Sequence, residues 1–355
     1  MKAAVVILNW NTRDYLAQFI PALEESLQGL DAGLVVADNA SSDGSLEMLS
    51  EHFPGVKTIR LAENYGFTGG YNRAIAQLLD GGADEPEYIV LINSDVLASS
   101  GWLGTLVNYM DTHPDCGVCG PKLLALLHED GEYRRSGRLE YAGAAGGYLD
   151  RYGYPFCRGR VLSRTDEDSP RYGAIRDVLW VSGACLMTRA ALWKEIGGLD
   201  GRFFAHMEEI DYCWKTQLLG YRVTVVPDSK VYHLGGGTLP RTSPTKLKLN
   251  YRNGLLLLDN NLAATIGPAR ARRRIRARIL IDDCSALVYL LRGEMDNFRA
   301  VREAHREYRR LKATPRRIAE PKGRPEGLPD VCIILKSMLR GKGIFDYMQR
   351  YEDSH

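Results

Sequence analysis

Five residues, Tyr88-Ile89-Val90-Leu91-Ile92, run without a break into Asn93-Ser94-Asp95. An unbroken apolar run bounded by polar residues predicts a strand buried on both faces. In an open parallel sheet, ligands bind just beyond the carboxyl ends of the strands. Asp95 would stand there, at the mouth of a crevice, with Asn93 and Ser94 beside it. A carboxylate in that place suits a hard divalent cation, which takes one or two carboxylates from protein and completes its sphere with water and phosphate oxygens. A polar strand end, or a cap for a helix after Gly101, would use the same residues. A second acidic group, Glu208-Glu209-Ile210-Asp211, opens the helical stretch 212–219. Carboxylates there complement the helix dipole, and the same side chains can act as a general base.

The elements that must position these groups follow from the apolar pattern. Residues 3–8 form a first buried strand that ends at Asn9 and Asn11. Leu16, Phe19, Ile20 and Leu23 follow at helical spacing. Residues 33–37 form a second strand, ending at Asp38, and 45–53 a helix. Residues 57–61 form a third strand, ending near Asn64, and 66–79 a glycine-led helix. This alternation predicts parallel βαβ units with right-handed crossovers. Asn9 and Asn11, Asp38, Asn64 and Asp95 then lie along one edge of one sheet. Asp38 can accept from a base N–H or a ribose hydroxyl. The Gly66, Gly69 and Gly70 loop lets backbone approach a phosphate at a helix N-terminus. Together these features point to a nucleotide diphosphate bound with a metal.

Further on, residues 102–110 read as a helix and 117–124 as a strand. Residues 134–176 are rich in Gly, Tyr and Arg without a period and read as loops and short strands over the site, an arrangement that long insertions usually serve. Residues 178–187 read as another buried strand, 190–196 as a helix and 222–226 as a strand that leads to His233 and the run Gly235–Gly237. Residues 251–261 form a helix. Beyond it, 269–278 is strongly basic, and the apolar stretch 279–291 is interrupted by Asp282, Asp283 and Ser285. That stretch is short of the ~20 apolar residues a membrane span needs. It reads either as an interfacial helix on anionic lipid or as a tail packed on the body.

Charge is unevenly placed. Residues 1–261 hold 25 Lys/Arg against 32 Asp/Glu, whereas 262–324 hold 17 against 7. An acidic body with a basic appendage points to an anionic surface as partner. Nucleic acid is not expected, because no aromatic platform or reading motif accompanies the charge. Seven scattered cysteines, an odd number, do not form a disulfide framework. With no signal-like start, the expectation is a cytoplasmic protein, peripheral on the inner face of the membrane if the basic segment binds lipid.

The ordered motifs resemble family 2 glycosyltransferases of the GT-A fold, particularly the rhamnosyltransferase-like branch. They are Val5-Val-Ile-Leu-Asn-Trp-Asn11, Asp38-Asn-Ala-Ser-Ser-Asp-Gly-Ser45, Asn64-Tyr-Gly-Phe-Thr-Gly-Gly-Tyr-Asn72, Leu91-Ile-Asn-Ser-Asp-Val96, Gly183-Ala-Cys-Leu-Met187 and Phe203-Phe-Ala-His-Met-Glu-Glu-Ile-Asp-Tyr-Cys-Trp214. The resemblance spans about residues 3–260. It implies an α/β fold: a GT-A-type, Rossmann-like nucleotide-binding sheet with helices on both faces, followed by a C-terminal helical extension. The expected division is a catalytic domain at 1–261, with a nucleotide-sugar half (1–125) and an acceptor half (126–261), and a basic helical extension at 262–355.

The resemblance further implies an inverting transfer of a hexose or deoxyhexose from a nucleotide-diphosphate sugar to a saccharide or lipid-linked saccharide acceptor. Asp95 and His233 would hold Mg²⁺ or Mn²⁺. Asn9, Asn11, Asp38, Asn64, Phe67, Gly70, Asn72 and Asn93 would bind the donor. Glu209 aligns with the family's proposed base, usually an Asp, with Glu208 and Asp211 beside it. A nucleotidyltransferase and a non-catalytic sugar-nucleotide-binding protein are the alternatives. The first would be expected to grip a triphosphate with an early glycine-rich basic loop, which residues 9–12 lack.

Overall fold

A computed structural model describes residues 1–235 and 243–353, with nothing given for the side chains of Ala83 and Lys342. The first half is the expected alternation. Strand β1 (Ala3–Asn9), helix α1 (Arg13–Leu27), β2 (Ala32–Asp38), α2 (Ser45–His52), β3 (Lys57–Arg60), α3 (Gly66–Leu78) and β4 (Tyr88–Ile92) follow in order. The four strands are parallel, with β1 between β2 and β4 and β3 outside β2. Every residue of β4 is fully buried. Burying such apolar side chains stabilises by about 1.5–3 kcal/mol each, which is why this strand sits in the interior of the sheet.

The second half extends the same sheet. Short β5 (Val96–Ala98), α4 (Trp102–Thr112), β6 (Cys116–Glu129) and β7 (Glu132–Leu139) come next. Strands β8 (Gly147–Leu149), β9 (Pro155–Cys157), β10 (Arg160–Val161) and β11 (Arg164–Thr165) form a separate four-stranded antiparallel sheet. This is the Gly/Tyr/Arg segment, built of the short strands and loops its composition implies. Then follow β12 (Arg176–Asp177), β13 (Cys185–Arg189), α5 (Ala190–Ile196), α6 (Glu208–Leu218) and β14 (Arg222–His233). The main sheet runs β12-β14-β6-β13-β4-β1-β2-β3, with β13 antiparallel to both β4 and β6. The strand expected over 178–187 is shorter. It begins at Cys185, because Ser182 turns the chain by accepting from Ala184 N–H through its hydroxyl and from Cys185 N–H through its carbonyl.

The C-terminal helices are α7 (Pro244–Ile266), which spans the expected boundary at 261, and, in the extension, α8 (Pro268–Leu291), α9 (Met295–Leu311), α10 (Ile333–Arg340) and α11 (Ile344–Asp353). Helix α7 runs past the expected end at Asn261 to Gly267, whose φ of +85° breaks it before Pro268 starts α8. The basic and apolar stretches expected separately after 269 form one helix. The extension shares its core with the sheet: Ala271, Tyr308, Ile333, Ile344 and Met348 lie in the same apolar cluster as Val6 and Leu91. No helix among the described residues is long and apolar enough to cross a membrane.

Candidate active site

The ends of β1, β2, β3 and β4 meet on one edge through side-chain amides. Asn9 is fully buried and donates to Asp38 Oδ1 (2.7 Å) and Ser41 Oγ (3.0 Å), and its Oδ1 accepts from Thr12 (2.6 Å). Thr12 Oγ1 in turn accepts from the Ser94 hydroxyl (2.9 Å), tying β1 to the end of β4. Asp38 is buried too, and its second oxygen accepts from Ser41 N–H. Each Asp38 oxygen keeps a further lone pair for a ligand donor. Asn11, at a φ of +56°, accepts from Ser42 N–H and so joins the loops after β1 and β2.

Several residues expected to touch the donor spend their polar atoms on the scaffold. Asn64 Oδ1 accepts from Gly66 N–H and from Asn39. Both ends of the Asn72 amide are bonded to the backbone of Leu199. Gly70 packs against β1, and a Cβ there would lie 2.7 Å from Leu8 Cδ1 and push that side chain aside. Gly66, at φ +69°, faces the Phe204 ring, which a Cβ would meet at 2.5 Å. The glycine loop is thereby docked onto the segment before α6. Asn39, which no motif spacing singled out, holds this loop from the β2 end by accepting from Tyr65 N–H and donating to Gly66 O.

At the end of β4, Asp95 lies 3.2 Å (Oδ1) from His233 Nε2, and Asn93 Nδ2 is 3.3 Å from the same nitrogen. Gly235 N–H donates to the other Asp95 oxygen. The pairing places Asp95 away from the helix-cap role. The other imidazole nitrogen, Nδ1, faces Glu140 Oε1 at 3.4 Å. Glu140 is buried and anchored by Ala142 N–H. Sequence reasoning missed it, because it sits in the segment without a period just after β7. Burial pulls the His233 pKa down, but the Asp95 and Glu140 carboxylates more than offset that and raise it to about 10. Burial pushes the Asp95 carboxyl up, and the facing imidazole holds it below the ordinary range. Gly236 and Gly237, the rest of the expected glycine run, lie outside the described residues.

The third group sits at the start of α6. Among the described residues, Glu208 Oε2 and Glu209 Oε2 are enclosed without any hydrogen-bond partner. Burial raises the Glu209 pKa to about 7 and drives that of Glu208, with Glu209 as neighbour, well above its ordinary value. Asp211 is placed differently. It is buried in a network with Lys215, Asn260 and Asn261 that fixes α6 against α7. Its i,i+4 pairing with Lys215 was readable from spacing. A Cβ placed on Gly183 would lie 3.5 Å from both Glu209 and the Phe67 ring, so these two side chains flank one glycine. The loop before α6 holds Phe204, His206 and Met207 at positive φ, conformations that cost of order 1–3 kcal/mol each and cluster at functional sites. Asn253 holds that loop by donating to the carbonyls of Phe203, Ala205 and His206. His206 Nε2 also lacks a partner among the described residues, and burial lowers its pKa to about 4, so this imidazole is neutral.

Residues 4–163 match the Glycosyl transferase family 2 profile. An N-acetylglucosaminyl-diphospho-decaprenol L-rhamnosyltransferase of Mycobacterium tuberculosis is 26% identical over 259 residues, covering 72% of this chain and 83% of that one. Rhamnosyltransferase WbbL of Escherichia coli is 22% identical over 231 residues, covering 64% and 82%. Among solved structures, a mannosyltransferase of Pyrobaculum calidifontis bound to GDP-Man and Mn²⁺ aligns with a TM-score of 0.51 at 13% identity, over 86% of both chains. GalNAc-T7 with UDP, GalNAc and Mn²⁺ aligns at 0.52 and 16% identity, over 71% of this chain and 47% of that one. At these identities the structural likeness establishes a shared fold.

Proposed function

This chain is a glycosyltransferase with a family 2 domain, and we propose that it moves a hexose or deoxyhexose, rhamnose-like, from a nucleotide-diphosphate sugar to a hydroxyl of a lipid-linked saccharide with inversion. The observation that carries the reading is the presence of two unlike acidic stations, Asp95 just past β4 and Glu209 at the start of α6. Asp95 is ionised and paired with His233, whereas Glu209 has an enclosed, unpartnered Oε2 and a raised pKa. Environments that drive two carboxylates apart mark distinct roles.

The donor set at Asp95 and His233 fits a divalent cation that displaces the proton His233 otherwise holds between them, since only the neutral imidazole ligates. Asp95 Oδ1 and His233 Nε2 lie 3.2 Å apart, close enough that both would hold one small cation. Among the described residues no cluster of three or more such side chains is placed to hold a metal, so the protein would supply these two donors and the diphosphate and water the remainder. When bound, Mg²⁺ or Mn²⁺ supplies positive charge to the leaving diphosphate. Asp38 receives a donor hydroxyl or base N–H, and Phe67 covers the sugar next to Glu209. Glu209 takes the proton of the acceptor hydroxyl as its oxygen bonds to the anomeric carbon and the carbon–phosphate oxygen bond breaks. The nucleoside diphosphate leaves on the opposite face. The M. tuberculosis relative's name suggests the acceptor class, a saccharide on a polyprenyl diphosphate, and an acceptor of that kind is held in a membrane.

Two results are expected. Across a panel of nucleotide sugars with Mn²⁺, one deoxyhexose or hexose donor raises the melting temperature by mass action, and the same donor glycosylates an N-acetylglucosaminyl-diphospho-lipid. Turnover with a soluble saccharide but none with the lipid-linked one would overturn the acceptor assignment. Second, Glu140 faces His233 Nδ1 at 3.4 Å, where Nδ1 has no hydrogen-bond partner among the described residues, and would draw into the orienting role that carboxylates play behind metal-bound histidines. Glu140→Gln therefore weakens Mn²⁺ binding by about 10–100-fold, read by titration of free Mn²⁺ by EPR, with the fold retained by circular dichroism. Unchanged Mn²⁺ affinity would reduce Glu140 to a packing residue.

A further inference from the structure

Helix α8 packs on one face and leaves the opposite face bare. Its inward residues are Ala271, Arg278, Asp282 and Ala286. Arg278 pairs with Asp282 at 2.8 Å and donates to the Tyr152 and Gly153 carbonyls, and Tyr154 donates to Asp282. This network explains why Asp282 stands inside an apolar stretch: it fixes the helix to the catalytic body. At about 100° per residue, Arg273, Arg276, Leu280, Cys284, Leu287 and Leu291 fall in one line on the far side. Leu280 is 66% exposed, Leu287 53% and Leu291 78%. The inward face meets the packed-tail reading of this segment, and the exposed face leaves the interfacial reading open.

We infer that this outer face of α8 is the surface by which the protein docks on an anionic lipid bilayer. The charge argues for that occupant. Arg270, Arg272, Arg273 and Arg276 are exposed and make no ion pair among the described residues. They lie at the end of the stripe where its leucines stop. Arginines beside an apolar stripe suit headgroups above and acyl chains below. From Leu280 to Leu291 the stripe is about 16 Å long, about half the bilayer core, so it lies in the interface. The combination recurs on α10, where Leu335, Met338 and Leu339 are 54%, 76% and 74% exposed beside Lys336 and Arg340. A second copy of the chain suits the face less well, since a two-fold pairing would set unpaired arginines against leucines or against one another.

The inference deepens the lipid-linked acceptor reading but takes its geometry from α8 alone. The test is flotation of the full chain with vesicles of phosphatidylglycerol and phosphatidylcholine, compared with phosphatidylcholine alone. Leu287→Glu/Leu291→Glu and Arg273→Glu/Arg276→Glu double variants are run beside the parent, with sedimentation equilibrium for each. The parent is expected to bind the anionic vesicles only, and to lose at least tenfold in partitioning from 0.05 to 0.3 M salt as screening shortens. Each double variant is expected to lose on the order of 10²-fold while its melting temperature and its transfer to a short-chain, water-soluble acceptor stay unchanged. Failure of the parent to bind anionic vesicles at low salt, or binding that both double variants retain, overturns the inference without touching the acceptor assignment. A dimer of the parent that the leucine variant dissociates would assign the face to a second copy and overturn it as well.

Discussion

Asp95→Ala is expected to abolish transfer, with kcat/KM falling on the order of 10³-fold or more, and to remove the dependence of donor binding on Mn²⁺. The argument rests on geometry. Asp95 lies in the turn just past the fully buried β4, and its carboxylate meets both His233 and Gly235 N–H. No other carboxylate among the described residues reaches His233 Nε2, because Glu140 faces Nδ1. A cation held there would stabilise charge at the leaving diphosphate, an effect worth several kcal/mol, and each 1.36 kcal/mol is tenfold in rate. Removing a buried hydrogen-bonded partner also costs about 1–3 kcal/mol of stability. Asp95→Asn, which keeps shape and still meets Gly235 N–H, separates the two effects: it should fold as well as the parent and remain inactive. Chelation of the parent should reproduce the catalytic loss. Donor affinity that is the same with and without Mn²⁺ in the parent enzyme would remove Asp95 from the metal site.

Much of this site was legible because strand ends are written in the sequence. An apolar run that stops at Asn or Asp announces both a buried strand and the polar edge where it ends, so Asn9, Asp38, Asn64 and Asp95 could be set side by side before any coordinates. Which of them would remain free for a ligand was not legible. Asn64 and Asn72 carry the right chemistry, yet their amides hold Gly66 and Leu199, partners that only the folded chain brings near. Asp211 was indistinguishable from Glu209 by type, and the network with Asn260 and Asn261 depends on α7 crossing α6. Glu140 had no signal at all, since neither period nor motif marks residues 134–176, and its meeting with His233 arises from tertiary packing across the β6–β14 edge. In the tail, a composition that switches from Arg to Leu suggested two segments. The helical period runs through the switch, and it is the period that sets the faces of α8.

Glu209→Gln keeps the size of the side chain and removes the proton acceptor, so kcat is expected to fall on the order of 10²–10⁴-fold with donor affinity little changed. The pH profile should identify the base independently. Burial sets the Glu209 pKa near 7, and the base must be deprotonated to act, so the parent's kcat/KM should rise with pH and level off above about 7. The residual activity of Glu209→Gln should lack that rise. Stability should move the opposite way. A carboxyl whose folded pKa lies above its unfolded value stabilises fully at pH below the unfolded value and loses that contribution as pH climbs through the folded one. In the parent, this loss should span about pH 4.5 to 7. The Gln variant has no charge to bury, so its melting temperature should exceed the parent's at pH 8 and approach it at pH 5, a gain in stability at the expense of function. Near-normal turnover would pass the role to Glu208, whose Oε2 is also unpartnered, and an equal loss in Glu208→Gln would show that the two carboxyls act as one coupled base.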